Sequence, residues 1–431
     1  MKTVYMSFST DIIHGGHIRI IQEAAKLGEL TIGVLTDNVV ASYKRFPMLS
    51  IKERMSIVGG IAGVRNVVEQ DSLVGEGAIR ALKPDYLVHG DDWKTGVQAP
   101  VRARILDILS EWGGELREFP YSRNVEYDAL EAHARSQLSI PDIRRGRLKK
   151  LLAIKPLITA IEVHSGLTGL IAEEEKVEKD GVVSQFDAMW ISSLCDSTAK
   201  GKPDIELVDI TSRLRTIDEI MEVTTKPIIF DGDTGGQVEH FSYMIKTLER
   251  VGVSAVIVED KIGLKRNSLF GAEAEQEQDS IENFSHKIAT GKKAMKTRDM
   301  LLIARIESLI LERGMEDALE RAFAFTKAGA DGIMIHSRRN EPDEIFEFCE
   351  KFREQDSATP LVVVPSTFTS VTEGEFEQRG VNIVIYANQL TRSAFPAMQK
   401  TARLILEHRR ALEADSMCMS INDIIKLIPE A

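Results

Sequence analysis

Cysteine is scarce in this sequence. Three residues in 431, Cys195, Cys349 and Cys418, cannot build a disulfide framework, so a reducing, cytoplasmic setting is expected. Long hydrophobic runs are missing as well. None approaches the roughly 20 residues that cross a bilayer, and no membrane contact is expected. The opening stretch MKTVYMSFSTDIIHGGH lacks the basic start and apolar core of a signal peptide. Positive charge is in deficit: 54 Lys and Arg stand against 66 Asp and Glu, for a net charge of -12. That balance argues against a nucleic-acid-binding surface, yet small phosphorylated ligands held by a few local bases stay compatible with it. What the chain does have is core-forming material, with 43% hydrophobic and 28% charged residues over a length suited to two domains.

Two stretches of strand-helix alternation organise the chain. In the first, 1–122, the strand candidates are TVYMSF (3–8), LTIGVLT (30–36), VRNVVEQ (64–70), DYLVHG (85–90) and ELREFP (115–120). Helical patterns such as IRIIQEAAKLG (18–28) lie between most of them, which predicts an α/β domain with an open parallel sheet. A joint over 123–155 contains PDIRRGRLKKLLAIKP. Its five bases in RRGRLKK read as a solvated helix face or linker, or else as a contact with an acidic surface of another subunit. The third stretch, 156–431, holds eight strand candidates: LITAIEVHS, FDAMWISS, PIIFDGD, AVIVEDK, LLIARIE, GIMIHS, PLVVVPS and NIVIYAN. Most are short, apolar and followed by a helical pattern, which predicts a (β/α)8 barrel of the TIM type.

A barrel of this kind carries its chemistry where strands end. Here the strand ends read Trp190-Ile191-Ser192, Asp231-Gly232-Asp233, Glu259-Asp260-Lys261, Arg305, His336 and Asn388. Asp231, Asp233 and Glu259 come from neighbouring strands, and three such acids repel one another unless a cation intervenes. Oxygen-only donors suit Mg2+. DGDTGG could instead cap the next helix. Arg305 offers a bidentate fork to a carboxylate or phosphate, and His336 could donate to a phosphate oxygen. The segment VEDKIGLKRNS (258–268) leaves a buried strand and turns at once into acids, then bases. Lys261, Lys265, Arg266 and Asn267 would thus ride on a lid over the mouth, with Gly263 and Gly271 as hinges.

EDKIGLKRNS resembles the EDK-x5-NS signature of phosphoenolpyruvate mutases, in the isocitrate lyase superfamily. The resemblance covers about 155–415 and includes FDAMWISSLCDSTAKGKPDIE and DGDTGG. It implies interconversion of phosphoenolpyruvate and phosphonopyruvate. By resemblance, Asp231, Asp233 and Glu259 hold Mg2+, partly through water. Arg305, His336, Ser192 and Asn267 hold the travelling phosphoryl group, with Lys265 helping from the lid. Trp190 packs on the pyruvyl plane and Asp204 organises the site. The lyase branch carries KKCGH where this chain reads KRNS, and related phosphonopyruvate hydrolases lack the Asn at position 267. A hydrolase or a carbon–carbon lyase is the competing reading of the barrel. Barrels of this superfamily commonly pair by exchanging their last helix, so a homodimer or homotetramer is implied, with TARLILEHRRALEA (401–414) as the exchanged segment. An ordinary eighth barrel helix is the other reading.

In the first domain, STDIIHGGH (9–17) follows the first strand and opens a helix. Glycines permit close backbone approach, and a helix N-terminus attracts phosphate. His14 and His17 could donate to a triphosphate as charge builds on it. This stretch resembles the HxGH motif of cytidylyltransferases, within a Rossmann-like nucleotidylyltransferase domain over about 1–122. Lys44, Arg54, and Asp91 and Asp92 in HGDDWKTG occupy further positions of that pattern. The resemblance implies CTP as co-substrate and a small phosphonate, such as 2-aminoethyl- or 2-hydroxyethylphosphonate, as acceptor. One departure stands out: Glu126 and Asp128 occupy the place of a Ser/Thr motif, where carboxylates would repel a triphosphate. A non-catalytic interaction module is the competing reading of this domain.

Overall fold

The computed structural model describes the chain except residues 10–11, 44–46, 95–98, 121–128, 130–132, 135, 180–181, 264, 269, 271–275 and 429–431, and the side chains of 43, 92 and 182. The β-branched runs of the first domain form five strands: β1 (Thr3–Phe8), β2 (Glu29–Leu35), β3 (Val64–Gln70), β4 (Tyr86–Gly90) and β5 (Glu115–Phe119). They pair in parallel in the order β3-β2-β1-β4-β5. Chain order reverses between β1 and β4, and an open α/β sheet binds ligands in the crevice at such a point. The HGGH loop leaves β1 there, and the Asp91–Lys94 turn leaves β4 beside it.

The eight barrel strands are all present. They are β6 (Ile158–Glu162), β9 (Ala188–Ile191), β10 (Ile228–Asp231), β11 (Ala255–Glu259), β14 (Leu301–Ile306), β15 (Gly332–Ile335), β16 (Leu361–Val363) and β17 (Ile383–Tyr386). The parallel ladder closes because β6 pairs with both β17 and β9. Alternation sorts their side chains: Ala160, Trp190, Ile229, Ile257, Ile303 and Met334 fill the interior, while Ile161, Ile191, Phe230, Val256 and Val258 join the layer under the helices. Two small ribbons were not anticipated from sequence. One joins β7 (Lys176–Lys179) to β8 (Val182–Gln185), and the other joins β12 (Lys261–Ile262) to β13 (Glu277–Gln278). Gln185 Nε2 donates to Ala41 O (3.3 Å) and Ser42 O (3.1 Å), which ties the first ribbon to the first domain.

The expectation that RRGRLKK is solvated is corrected for its three arginines. A helix Pro141–Ile154 packs on the barrel, its Leu148 and Leu151 meeting the barrel interior. Arg144 is 0% exposed. It donates to Met221 O (3.3 Å) and Thr224 O, Arg145 to Glu249 O (3.1 Å), and Arg147 to Thr225 O (2.8 Å). These carbonyls lie at the C-terminal ends of the helices Ile210–Val223 and Val238–Val251, where backbone acceptors lack intrahelical donors. The three arginines are consumed inside the fold, while Lys149 and Lys150 stay exposed.

Candidate active site

The interior-facing register explains how the polar strand ends meet. Glu162, Trp190, Asp231, Glu259 and Arg305 continue the inward rows of β6, β9, β10, β11 and β14, and His336 continues that of β15. Trp190, Ser192, Asp204, Asp231, Lys265, Asn267, Arg305 and His336 line one cavity of about 60 Å3, a size for a small anion. Every candidate catalytic residue from the sequence is therefore at this mouth. Gly232 is required beside Asp231: a Cβ there would stand 2.9 Å from Ile257 O, and its N–H bonds that carbonyl at 2.7 Å.

Charges alternate through the site. Asp231 Oδ2 accepts from Ser193 N (3.1 Å) and Ser193 Oγ (2.9 Å). Arg213 donates to Asp231 O (2.5 Å) and Asp233 Oδ2 (3.0 Å), with its guanidinium 4.1 Å over the Phe230 ring. Burial raises the Asp231 carboxyl, but Lys265, Arg213 and Arg305 outweigh it and hold it below its ordinary value. Burial and the neighbouring Asp231 push Asp233 up. Glu259 is pushed up to about 7, chiefly by burial.

The described lid residues Lys265, Asn267 and Ser268 line the cavity. Lys265 Nζ meets Ser193 Oγ (2.5 Å), Asp204 Oδ1 (2.8 Å) and Asp233 Oδ1, and Asn267 Nδ2 donates to Asp204 Oδ2 (2.8 Å). Burial disfavours the Lys265 ammonium, yet Asp233, Asp231, Glu259 and Asp204 together keep it protonated well above its ordinary range. Of the two expected hinges, Gly263 has φ +78, and Gly271 lies outside the described residues.

Arg305 is gripped from behind. Its Nε donates to Glu307 Oε1 (2.5 Å), and its Nη2 donates to Ser268 Oγ (2.6 Å) and approaches His336 Nδ1 (3.0 Å). Glu307 Oε1 is farther from that nitrogen, at 3.8 Å. A guanidinium only donates, so Nδ1 is the acceptor and Nε2 carries the imidazole proton. Burial, then Arg305, lower the His336 pKa and keep the ring neutral. The site thus offers an N–H donor and a fixed guanidinium to one anion.

Among the described residues, no three Asp, Glu, His or Cys side chains stand close enough to share one metal ion. Of the three expected ligands, Asp231 lines the cavity, while Asp233 and Glu259 stand outside its lining. Both oxygens of the buried Glu259 carboxylate accept no hydrogen bond. Mg2+ needs only one or two direct carboxylates and keeps several waters, so this donor set fits it.

In the first domain, His14 caps the helix Gly15–Leu27, its Nδ1 accepting from Gly16 N (3.0 Å), so Nε2 carries the proton. The His14 and His17 rings stand 3.9 Å apart. Arg54 is 1% exposed and bonded to Asp37 Oδ1 (2.5 Å), Leu49 O and Ser9 O, so it braces the loop after β1. Asp91 lies in the turn after β4. Lys44, Glu126, Asp128 and the Asp92 side chain lie outside the described residues.

Residues 148–406 match the family model for phosphoenolpyruvate phosphomutase. The chain belongs to this family. Residues 9–145 match the cytidylyltransferase-like model, so the chain joins such a domain to a phosphomutase-family barrel. A phosphoenolpyruvate phosphomutase of Tetrahymena pyriformis is 34% identical over 65% of this chain and 90% of its own length. A phosphonopyruvate hydrolase of Variovorax is 33% identical over 63% and 90%. Among solved structures, the phosphoenolpyruvate phosphomutase of Streptomyces platensis superposes with a TM-score of 0.59 at 28% identity, covering 65% of this chain and 93% of that one. A phosphonopyruvate hydrolase with oxalate and Mg2+ gives 0.58 at 31% identity, covering 66% and 94%.

Sequence reading passed over several members of the site. Glu162 and Glu307 stood at strand ends in plain view. Arg213 and Ser193 carried no signal, since one lies on a barrel helix and the other is an unremarkable serine beside Ser192.

Proposed function

We propose that the barrel is a phosphoenolpyruvate mutase, moving a phosphoryl group between the enol oxygen and C3 to give phosphonopyruvate. The observation that carries this is Asn267, held by Asp204 over a cavity that already contains Arg305 and His336. Arg305, the Nε2–H of His336, Ser192 and Asn267 bind the phosphoryl group, with Lys265 adding charge from the lid. Ser192 Oγ accepts from Cys195 N (3.3 Å), and the hydroxyl can still donate its proton to a ligand. Trp190, 2% exposed, walls the pyruvyl plane. The transfer breaks one P–O bond and forms one P–C bond, with the electron pair supplied by the enolate carbon. Such a loose transfer needs positioned charge and dryness more than a covalent catalyst. Asp231, Asp233 and Glu259 would hold Mg2+, partly through water; when bound, the metal stabilises the enolate charge.

Phosphorus NMR of the protein with Mg2+ and phosphonopyruvate tests the reading: phosphoenolpyruvate is expected, and inorganic phosphate as sole product would make it a hydrolase. Asn267→Ala is expected to lower mutase turnover on the order of 100-fold, as loss of one charge-stabilising donor does. Unimpaired turnover would remove Asn267 from the mechanism.

The first domain is read as a CTP-dependent cytidylyltransferase acting on a small phosphonate. Support comes from the His14 and His17 pair at a helix start and at the sheet's reversal point. Incubation with CTP, Mg2+ and 2-aminoethyl- and 2-hydroxyethylphosphonate should give a CMP-phosphonate and pyrophosphate. No product from either, with the barrel active in the same sample, would leave an interaction module.

The assembly is read as a homodimer or a homotetramer. The last barrel helix, Gln389–His408, buries none of its residues, and Phe395, Met398, Ile405 and Leu406 are exposed on it. Beside the β6/β17 seam lies a groove of about 400 Å3 lined by Ile161, Val177, Phe186 and Tyr386. The helix of a second copy would fill it.

A further inference from the structure

Lys261, expected on the lid, has no role in the proposed transfer, and its surroundings are unusual. The side chain is 2% exposed, and it does not line the substrate cavity. Its Nζ donates to Arg266 O (3.1 Å), Ser268 Oγ (3.0 Å) and Gln276 Oε1 (2.8 Å). Two carboxylates flank it, Glu259 Oε1 at 3.2 Å and Glu307 Oε2 at 3.4 Å. These neighbours come from four places: the end of β11, the end of β14, the outgoing limb of the lid and its returning limb. An ammonium has three protons. All three directed bonds go to the lid, whose base is the two-residue β12/β13 ribbon. Two of them fix Arg266 and Ser268, the residues on either side of Asn267.

We propose that Lys261 is a positioning residue that clasps both limbs of the lid shut, and that this clasp decides whether the phosphoryl group moves to its acceptor on the substrate or is lost to water. The proposal rests on the mutase reading. The two outcomes differ in what meets the phosphorus. In the mutase direction the P–C bond breaks and an enol P–O bond forms. In hydrolysis the P–C bond breaks, water oxygen bonds phosphorus, and the carbon takes up a proton to give pyruvate and phosphate. A lid that holds Asn267 in place and stays closed excludes that water.

The test uses the full chain with Mg2+ and phosphonopyruvate, comparing wild type with Lys261→Met, which keeps the stem and removes the ammonium. Phosphorus NMR gives the ratio of inorganic phosphate to phosphoenolpyruvate. A rise of about tenfold or more in that ratio is expected, on the scale of a lost charged hydrogen bond. Trypsin in the presence of Mg2+ and oxalate reads the lid directly, because Lys265 and Arg266 are cleavage sites on it. Faster cutting there is expected in the variant. An unchanged product ratio with unchanged cutting would overturn the proposal, as would lost turnover with a lid still protected. Should Lys261→Met fail to fold, Gln276→Leu removes the acceptor on the returning limb and should shift both readouts in the same direction; no shift in either would sink the clasp. If the wild type makes only phosphate, the mutase reading falls, and the tryptic comparison still decides the clasp by itself.

Discussion

Arg305→Met is expected to abolish measurable mutase turnover and to destabilise the fold together. Two effects add. The variant removes the guanidinium from the phosphoryl site, and losing one preorganised donor of this kind costs on the order of 100- to 1,000-fold in turnover. It also strands the buried acids that Arg305 serves. Glu307 is 0% exposed and held well below its ordinary carboxylate range by Arg305 and Lys261 against the pull of burial. Glu259 Oε2 lies 3.5 Å from Nη2. Removing one partner of a buried pair typically costs about 3–5 kcal/mol. The His336 ring would lose its fixed tautomer as well, because nothing would donate to Nδ1 from β14. Denaturant titration and the NMR assay measure the two losses separately. Arg305→Lys should recover part of the stability and little of the turnover, since one ammonium cannot reproduce the fork. A stable, active Arg305→Met protein would remove this residue from the centre of the site.

Phe395→Asp combined with Leu406→Asp is expected to turn the assembly into monomers. In a lone chain the pair should be nearly silent, because the two side chains are 63% and 77% exposed and surface changes usually stay within about 0.5 kcal/mol. Phe395, Met398, Ile405 and Leu406 fall within roughly a 100° sector of the helix, one apolar stripe. If that stripe fills the seam groove of a second copy, each lost side chain removes about 2 kcal/mol of burial, and a buried carboxylate adds more. The dissociation constant should then rise by about 1,000-fold or more. Analytical ultracentrifugation across a concentration series reads this directly. An unchanged oligomer would place the interface elsewhere.

The barrel was legible because its signals are local and repeated. Each strand is a short apolar run, and each run ends in residues that make no sense in a core. Alternation alone puts Asp231, Glu259, Arg305 and His336 on the inner face at one end. The lid was legible for a similar reason, as acids and bases crowd into VEDKIGLKRNS where a plain turn would suffice. The helix Pro141–Ile154 was misread for the opposite reason. Its arginines look like surface charge, and the carbonyls that absorb them are about eighty to a hundred positions away in sequence. Arg213 was hidden although Asp231 and Asp233 lie only 18 and 20 positions away, because its grip on them exists only once helix and strand are packed.

Local pattern was enough for the two-part α/β architecture, the eight strands and the identity of the groups at the mouth, because side-chain period and strand-end chemistry are properties of neighbouring residues. Packing settled the rest: which charge neutralises which, that Arg54 is a brace, that Lys261 spends its protons on the lid, and that the helix Gln389–His408 buries none of its residues. Those facts depend on how separate elements pack against one another, and local pattern carries no record of that.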